Sequence, residues 1–368
     1  MERATARIDH AAVSANSARL KAELGEAELC AVVKADGYGH GADACAAAAL
    51  DGGATRLAVA TASEAEQVGR RFQHVPLLTM GALTGEEVDA VISAGSEVAL
   101  WREEFRQLLA QRSRAHGHRA RVHVKYDSGM GRLGNRDPDE VLELVRACAE
   151  DPDLELAGIW THFATADELD SGYFDEQLDR FERVAAVVKE KHPEVLVHAA
   201  NSAAVLRDRR SHFEMARCGV AIYGLDPFQR DPAEQGLRPA LTLRSYVADV
   251  KRLPAGASAG YGRRWKAPAD AWVGVVPVGY GDGVRRALTN NAEILVRGRR
   301  QPLVGTVSMD NITIYLGPET EVKPGDEAVL LGRQGEEQIL AEEVAARLET
   351  INYEVTCAIS PRVPRRLA

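Results

Sequence analysis

The chain has 368 residues, 45% apolar and 27% charged, with a formal net charge of −9 and both signs mixed along its length. That length holds one large domain or two ordinary ones, and without a long basic run it carries no footprint of a nucleic-acid partner. Five scattered cysteines with no CxxC read as reduced thiols of a cytoplasmic protein, not as a disulfide framework or a zinc site, and no apolar run approaches the roughly 20 residues of a membrane span.

Taken in chain order, short apolar and β-branched runs occur at 29–35, 57–61, 76–80, 96–101, 120–127, 156–163, 196–201 and 215–223. Helical periodicity fills the intervals. In "FDEQLDRFERVAAVVKE", Phe174, Leu178, Phe181, Val184 or Ala185, and Val188 fall on one face. In "DPDEVLELVRACAE", Pro138 sits in the first turn, where helix starts tolerate it. Eight strands alternating with helices predict an α/β fold with an N-terminal (β/α)8 barrel over residues 1–235; an open doubly wound sheet is the alternative. After about residue 235 the chain becomes strand-like, with turn signals every eight to twelve residues and one short helical stretch, "LAEEVAARLET". Residues 236–368 are therefore expected to form a second, predominantly β domain.

Chemistry in a (β/α)8 barrel sits at the C-terminal ends of the strands. Lys34 ends the first strand and is followed by "ADGYGHG"; the fifth ends "KYDSGMGRLG", the sixth "WTHF", the seventh "ANS", and the eighth holds Arg217 and Gly219. An ammonium at the end of a buried strand costs several kcal/mol unless it is paired or neutralised. A neutral amine there suits a Schiff base with an aldehyde cofactor; the plainer reading is a lysine that snorkels off the rim. Loops after the seventh and eighth strands often hold a phosphate. Ser202 and the Gly219–Val220 backbone offer donors for one, although Ser202 by itself reads first as a helix N-cap, a role compatible with the other. Lysine plus phosphate site points to pyridoxal 5′-phosphate.

Two motifs argue for other chemistry. "GMGRLG" at 129–134 matches the dinucleotide fingerprint, with Asp151 and Asp153 about twenty residues on. Its strand carries Lys125 and Asp127, poor choices for the buried first strand of such a fold. His116, His118 and His123 in "HGHRARVH" suggest a metal, but no nearby cysteine or carboxylate completes a ligand set, so they read as a solvated turn.

Together the segments "AVVKADGYGHGA", "KYDSGMGRLG", "THFATAD", "ANSAA", "RCGVAIYGLDP", "SAGYGRRW", "GYGDGV", "GTVSMDNI" and "INYEVTCAISPRVPRR" resemble the bacterial alanine racemases of the fold-type III pyridoxal-phosphate class, over essentially the whole chain. The resemblance implies racemisation of L- and D-alanine by two bases, D-alanine supply for peptidoglycan, and a cytoplasmic homodimer with shared sites and no metal. It implies Lys34 as Schiff-base lysine and one base, and Tyr261 as the other, supplied by the partner subunit. Tyr38, Ser202, Gly219, Val220 and Tyr353 would hold the phosphate. Arg217 would face the pyridine nitrogen, with His162 linking it to the tyrosine. Arg132 would contact the cofactor's phenolic oxygen and the substrate carboxylate, oriented by Lys125, which the family often carries carbamylated. Met309 and Asp310 match a segment whose backbone meets the substrate, and Tyr280 matches a tyrosine of the access corridor. Departures are mild: "KADGYG" for the commoner "KANAYG", Ser308 for cysteine, and Ser128 for threonine. A cofactor carrier would lack the β domain, and a decarboxylase of the same class would place an acid where Arg217 stands. A racemase for serine or lysine fits the same motifs.

Overall fold

The computed structural model describes residues 2–368. It divides into two compact units. One comprises Val13–Gly37 and Ala42–Ile222; the other comprises the N-terminal residues up to Ala12, the short piece Tyr38–Gly41, and Tyr223–Ala368.

In the first unit eight parallel strands close into a barrel: Glu28–Val32, Arg56–Val59, Leu77–Thr79, Glu97–Leu100, Ala120–Lys125, Leu154–Trp160, Leu196–His198 and Met215–Cys218. Each overlaps one of the eight expected runs. The runs are continuous, not alternating, because a barrel strand is covered on both faces: by helices outside and by packed side chains within. The helix Tyr173–Lys191 buries Phe174, Leu178, Phe181, Val184, Ala185 and Val188, the stripe the periodicity predicts. The helix Pro138–Glu150 starts at Pro138, with the Asp137 carboxylate capping the Asp139 and Glu140 amides.

The second unit is built on a mostly antiparallel sheet. Its path runs Asp249–Leu253, Ala271–Val276, Ile312–Gly317, Arg299–Val304, Glu293–Val296, Glu327–Gln334, Leu241–Tyr246, Thr5–Ile8 and Arg365–Leu367. Leu241–Tyr246 and Ile312–Gly317 alternate buried and half-buried residues, as strands covered on one face do. Thr5–Ile8 has no counterpart among the expected runs; it pairs antiparallel with Leu241–Tyr246 and parallel with Arg365–Leu367. A second short helix, Asn352–Cys357, follows the expected one at Ala341–Arg347. Among the described residues no helix is long and apolar enough to cross a membrane.

Candidate functional site

Lys34 lies two residues beyond the first barrel strand, Glu28–Val32, and the chain then makes a left-handed turn. Ala35 and Asp36 have φ 52° and ψ 49°, Gly37 has φ 61°, and Tyr38 has φ 52°. Outside glycine this conformation costs about 1–2 kcal/mol per residue, and such strain persists only where the surroundings hold it. The holding contacts are the Gly37 amide on the Val33 carbonyl (2.9 Å), the Ala42 amide on the Asp36 carboxylate (2.9 Å) and the Ala35 amide on Glu64 Oε1 (2.7 Å). The other oxygen of Glu64 accepts from the Ala60 and Thr61 amides at 2.8 and 3.1 Å. One carboxylate thus ties the helix Ala62–Arg71 to the residue after the lysine. Lys34 itself is half-buried, not fully enclosed as the strand pattern suggested.

The fully enclosed lysine is Lys125, at 3% exposure. Burial first, then the Arg217, Arg132 and Lys34 cations, push its pKa down to about 7, while Asp127 opposes them. Its ammonium nitrogen lies 4.1 Å from the Trp160 ring centroid, and the Arg217 guanidinium lies 4.7 Å from the same ring. Arg217 is 3% exposed. Its Nη2 donates to the carbonyls of Thr161 (2.9 Å) and Ala199 (3.0 Å) and reaches His162 Nδ1 at 3.4 Å, and its Nη1 donates to His198 Nδ1 at 2.9 Å. Burial without a carboxylate contact lowers even this guanidinium to about 10. Desolvation, followed by the Arg217, Lys125, Arg132 and Lys34 charges, holds His162 well below the ordinary imidazole range, so its neutral form prevails. Gln177, a polar residue on the otherwise apolar helix stripe, fastens this rim: its carbonyl accepts from the Ala164 amide (2.8 Å) and its amide donates to the His162 carbonyl (3.3 Å).

Ser202 is not the helix N-cap that its position allowed. Asn201 takes that role, its side chain accepting from the Ala204 amide at 2.9 Å. The Ser202 hydroxyl oxygen instead accepts from the Gly219 amide (3.1 Å) and the Ala221 amide (3.4 Å), which draws together the segments after the seventh and eighth strands, where Val220 opens a 3-10 turn.

The second unit holds the remaining expected residues in two groups. Tyr38 lies with Tyr223 (ring centroids 5.3 Å) and Tyr353 (6.0 Å), and His40 stacks on Tyr223 at 4.6 Å. A Cβ at Gly39 would lie 2.3 Å from the Thr356 carbonyl oxygen, so only glycine fits there. The other group is joined by backbone. The Tyr280 and Gly281 amides donate to the Ser308 and Met309 carbonyls, each at 3.0 Å, and Thr306 Oγ1 donates to the Tyr261 carbonyl at 2.6 Å. Arg362 pairs with Asp310 at 2.6 Å. Tyr261, Met309 and Tyr280 are 74%, 51% and 43% exposed.

The two competing motifs resolve differently. In "GMGRLG" the amides that would cradle a phosphate are occupied: Gly129 N donates to Asp127 Oδ1 (3.1 Å) and Gly131 N to Asp127 Oδ2 (3.0 Å). His116 and His118 lie at the exposed end of the helix Glu103–His116. His123 does not belong to a solvated turn. It is fully buried, bonded to Glu97 and His198 at 2.8 Å each. Sequence reasoning passed over Glu64, Glu97, Gln177 and His198; of these, Glu64 alone carried a local signal, as the fourth residue of the capping box "TASE".

Two family models match the chain: "Alanine racemase, N-terminal domain" over residues 8–227 and "Alanine racemase, C-terminal domain" over residues 240–367. The chain is similar to the alanine racemase of Symbiobacterium thermophilum, 42% identical over 361 residues that cover 98% of this chain and 96% of that one. It is likewise similar to alanine racemase 1 of Bacillus subtilis, 42% identical over 365 residues, 98% and 92% of the two chains. Among solved structures, alanine racemase from Streptomyces lavendulae superposes with a TM-score of 0.95 at 34% identity, covering 100% of this chain and 97% of that one. The Bacillus anthracis enzyme with bound L-Ala-P does so with a TM-score of 0.91 at 36% identity, covering 100% and 95%.

Proposed function

Because the chain belongs to the alanine racemase family, we propose that it interconverts L- and D-alanine with pyridoxal 5′-phosphate, using Lys34 and Tyr261 as opposed bases and a second copy of the chain to supply Tyr261. The observation that carries this reading is the cluster on the barrel rim. The Arg217, Arg132 and Lys34 cations all act on Lys125, with Asp127 as the opposing acid, and the same four cations act on His162. So cationic a rim fits a doubly anionic phosphate ester and an amino-acid carboxylate.

The donor set fits the cofactor. Lys34 would offer the amine for its aldehyde; the Ser202 hydroxyl, held in place by the Gly219 amide, would meet its phosphate together with the Val220 backbone, Tyr38 and Tyr353; and Arg217, His162 and Arg132 would face its ring. When bound, the cofactor supplies an aldehyde for the substrate amine and a conjugated ring that takes up the electron pair left when the Cα–H bond breaks. This chain's residues do the rest. Arg132 and the Met309–Asp310 backbone hold the substrate carboxylate, and Tyr280 narrows the way in. The Lys34 amine and the Tyr261 phenol then take a proton from Cα on one face and return one on the other. Arg217 donates hydrogen bonds but keeps its proton, so it stabilises the electron pair less than a carboxylic acid would, and the proton returns to Cα before side reactions intervene.

Lys125 has a specific place in this reading. With a pKa of about 7, a large fraction of its amine is unprotonated at neutral pH. That amine can attack carbon dioxide, forming an N–C bond and releasing one proton. The resulting carbamate replaces a cation with an anion among Arg217, Arg132 and Lys34, and so would orient Arg132. A cytoplasmic role in making D-alanine for peptidoglycan completes the proposal.

The test is circular dichroism of L-alanine, L-serine and L-lysine incubated with the purified protein and cofactor. Alanine should lose its signal fastest. Faster loss from serine or lysine, or none from alanine, would overturn the reading.

A further inference from the structure

We propose that Glu97, His123 and His198 are positioning residues of this site: they form a hydrogen-bond relay of fixed direction that runs through the barrel from Glu97 to Arg217 and sets how Arg217 is presented. The proposal rests on the reading of Arg217 as the group that meets the cofactor ring.

The links are short and consecutive. Glu97 Oε2 to His123 Nε2 is 2.8 Å, His123 Nδ1 to His198 Nε2 is 2.8 Å, and His198 Nδ1 to Arg217 Nη1 is 2.9 Å. Glu97, His123, His198 and Arg217 are all buried. Elementary valence fixes the direction. A guanidinium has donors only, so His198 Nδ1 accepts and carries no proton. The His198 proton is therefore on Nε2 and is donated to His123 Nδ1. His123 must then carry its proton on Nε2, which it donates to the carboxylate. Arg217 sets the direction at one end and Glu97 at the other. Every polar atom between them is satisfied in this one arrangement and in no reversed one.

The surrounding backbone accommodates the relay. Gly158, on the neighbouring strand, faces His123 so closely that a Cβ would lie 2.1 Å from Nδ1. The pairing register between those two strands shifts between Val122 and His123. Trp160 stacks parallel to His198, with 5.7 Å between centroids. Barrel interiors are ordinarily filled by branched apolar side chains, and a half-satisfied polar chain is worse than an apolar one. A glutamate and two histidines that lead to a single arginine make sense as a service to that arginine. Among the described residues no carboxylate is in hydrogen-bonding contact with Arg217, and Lys125 lies close to it. Glu97, itself paired with Arg56 (3.0 Å) and Arg121 (3.3 Å), supplies the anionic end at a distance. A cofactor ring nitrogen placed against Arg217 would thus face a donor held still, not a carboxylic acid able to give it a proton.

Two measurements test this. Neutron diffraction from crystals of the full chain, with and without cofactor, should place deuterium on Nε2 of both His123 and His198 and none on either Nδ1. Deuterium on Nδ1 of either ring would overturn the relay, whatever the protein catalyses. The second compares His123→Gln, which keeps one acceptor and one donor, with His123→Leu, which only fills space. Leucine should lower kcat by about 10–100-fold while KM stays within about threefold, and glutamine should recover most of that loss. Equal losses in the two variants, or none with leucine, would reject the relay as a positioning device. If the leucine variant fails to fold, the deuterium positions still decide. Absence of alanine racemisation by the unmodified protein would instead count against the function proposed above.

Discussion

Lys34 and Lys125 stand near each other at the ends of two barrel strands, and their environments differ. Lys125 is almost wholly enclosed, and its pKa falls from the ordinary 10.5 to about 7. Because the folded value is depressed, the unfolded chain binds more protons between about pH 7 and 10.5. Stability therefore rises with pH across that window, and below pH 7 the full cost of the buried ammonium remains. Lys125→Met, which keeps the length of the side chain without the charge, should raise Tm by several degrees at pH 6.5 in bicarbonate-free buffer. The advantage should shrink toward pH 10; thermal unfolding followed by circular dichroism checks both. Sequence alone could not rank these two lysines. Both end apolar runs, and burial depends on Trp160, Arg217 and Arg132, which arrive from other parts of the chain.

At the scale of the element, the left-handed turn after Lys34 is the part of the site with the most strain and the clearest support. "KADGYG" announces a turn through its glycines, but the positive φ of Ala35, Asp36 and Tyr38 is not legible from residue type. It is imposed by contacts, Glu64 foremost. Glu64→Ala leaves the Ala35, Ala60 and Thr61 amides without their shared acceptor. The expected result is a loss of about 1–3 kcal/mol of stability, measured by denaturant unfolding, together with a several-fold fall in kcat as the turn that carries Lys34 relaxes. A kcat equal to that of the unmodified protein, despite the lost stability, would show that the turn does not position the lysine. The barrel strands themselves were readable because each is a short continuous apolar run, and the helix Tyr173–Lys191 because its stripe repeats at helical period. Thr5–Ile8 was not. Its four residues include an arginine, and its partners lie more than 200 residues away, so no local pattern marks it.

For the whole molecule, the proposal divides one reaction between two units: Lys34 in the barrel unit and Tyr261 in the β unit. Tyr261, Tyr280 and Met309 are large apolar groups that their own chain leaves exposed, the kind of surface that a second copy covers. Chains carrying Lys34→Ala and chains carrying Tyr261→Phe should each be inactive alone. Mixed and allowed to exchange, they should regain up to about one competent site per mixed dimer; exchange without recovery would reject the shared site. The positions proposed as catalytic could be picked out because they fall in short motifs, whereas the Glu97–His123–His198 path could not, since its members come from three strands and meet only when the barrel closes. The most direct test of the account is to reduce the cofactor-loaded protein with borohydride and locate the attached pyridoxyl group by peptide mass spectrometry. The account predicts attachment at Lys34; attachment at Lys125, the more deeply buried amine, or at any other lysine would contradict it.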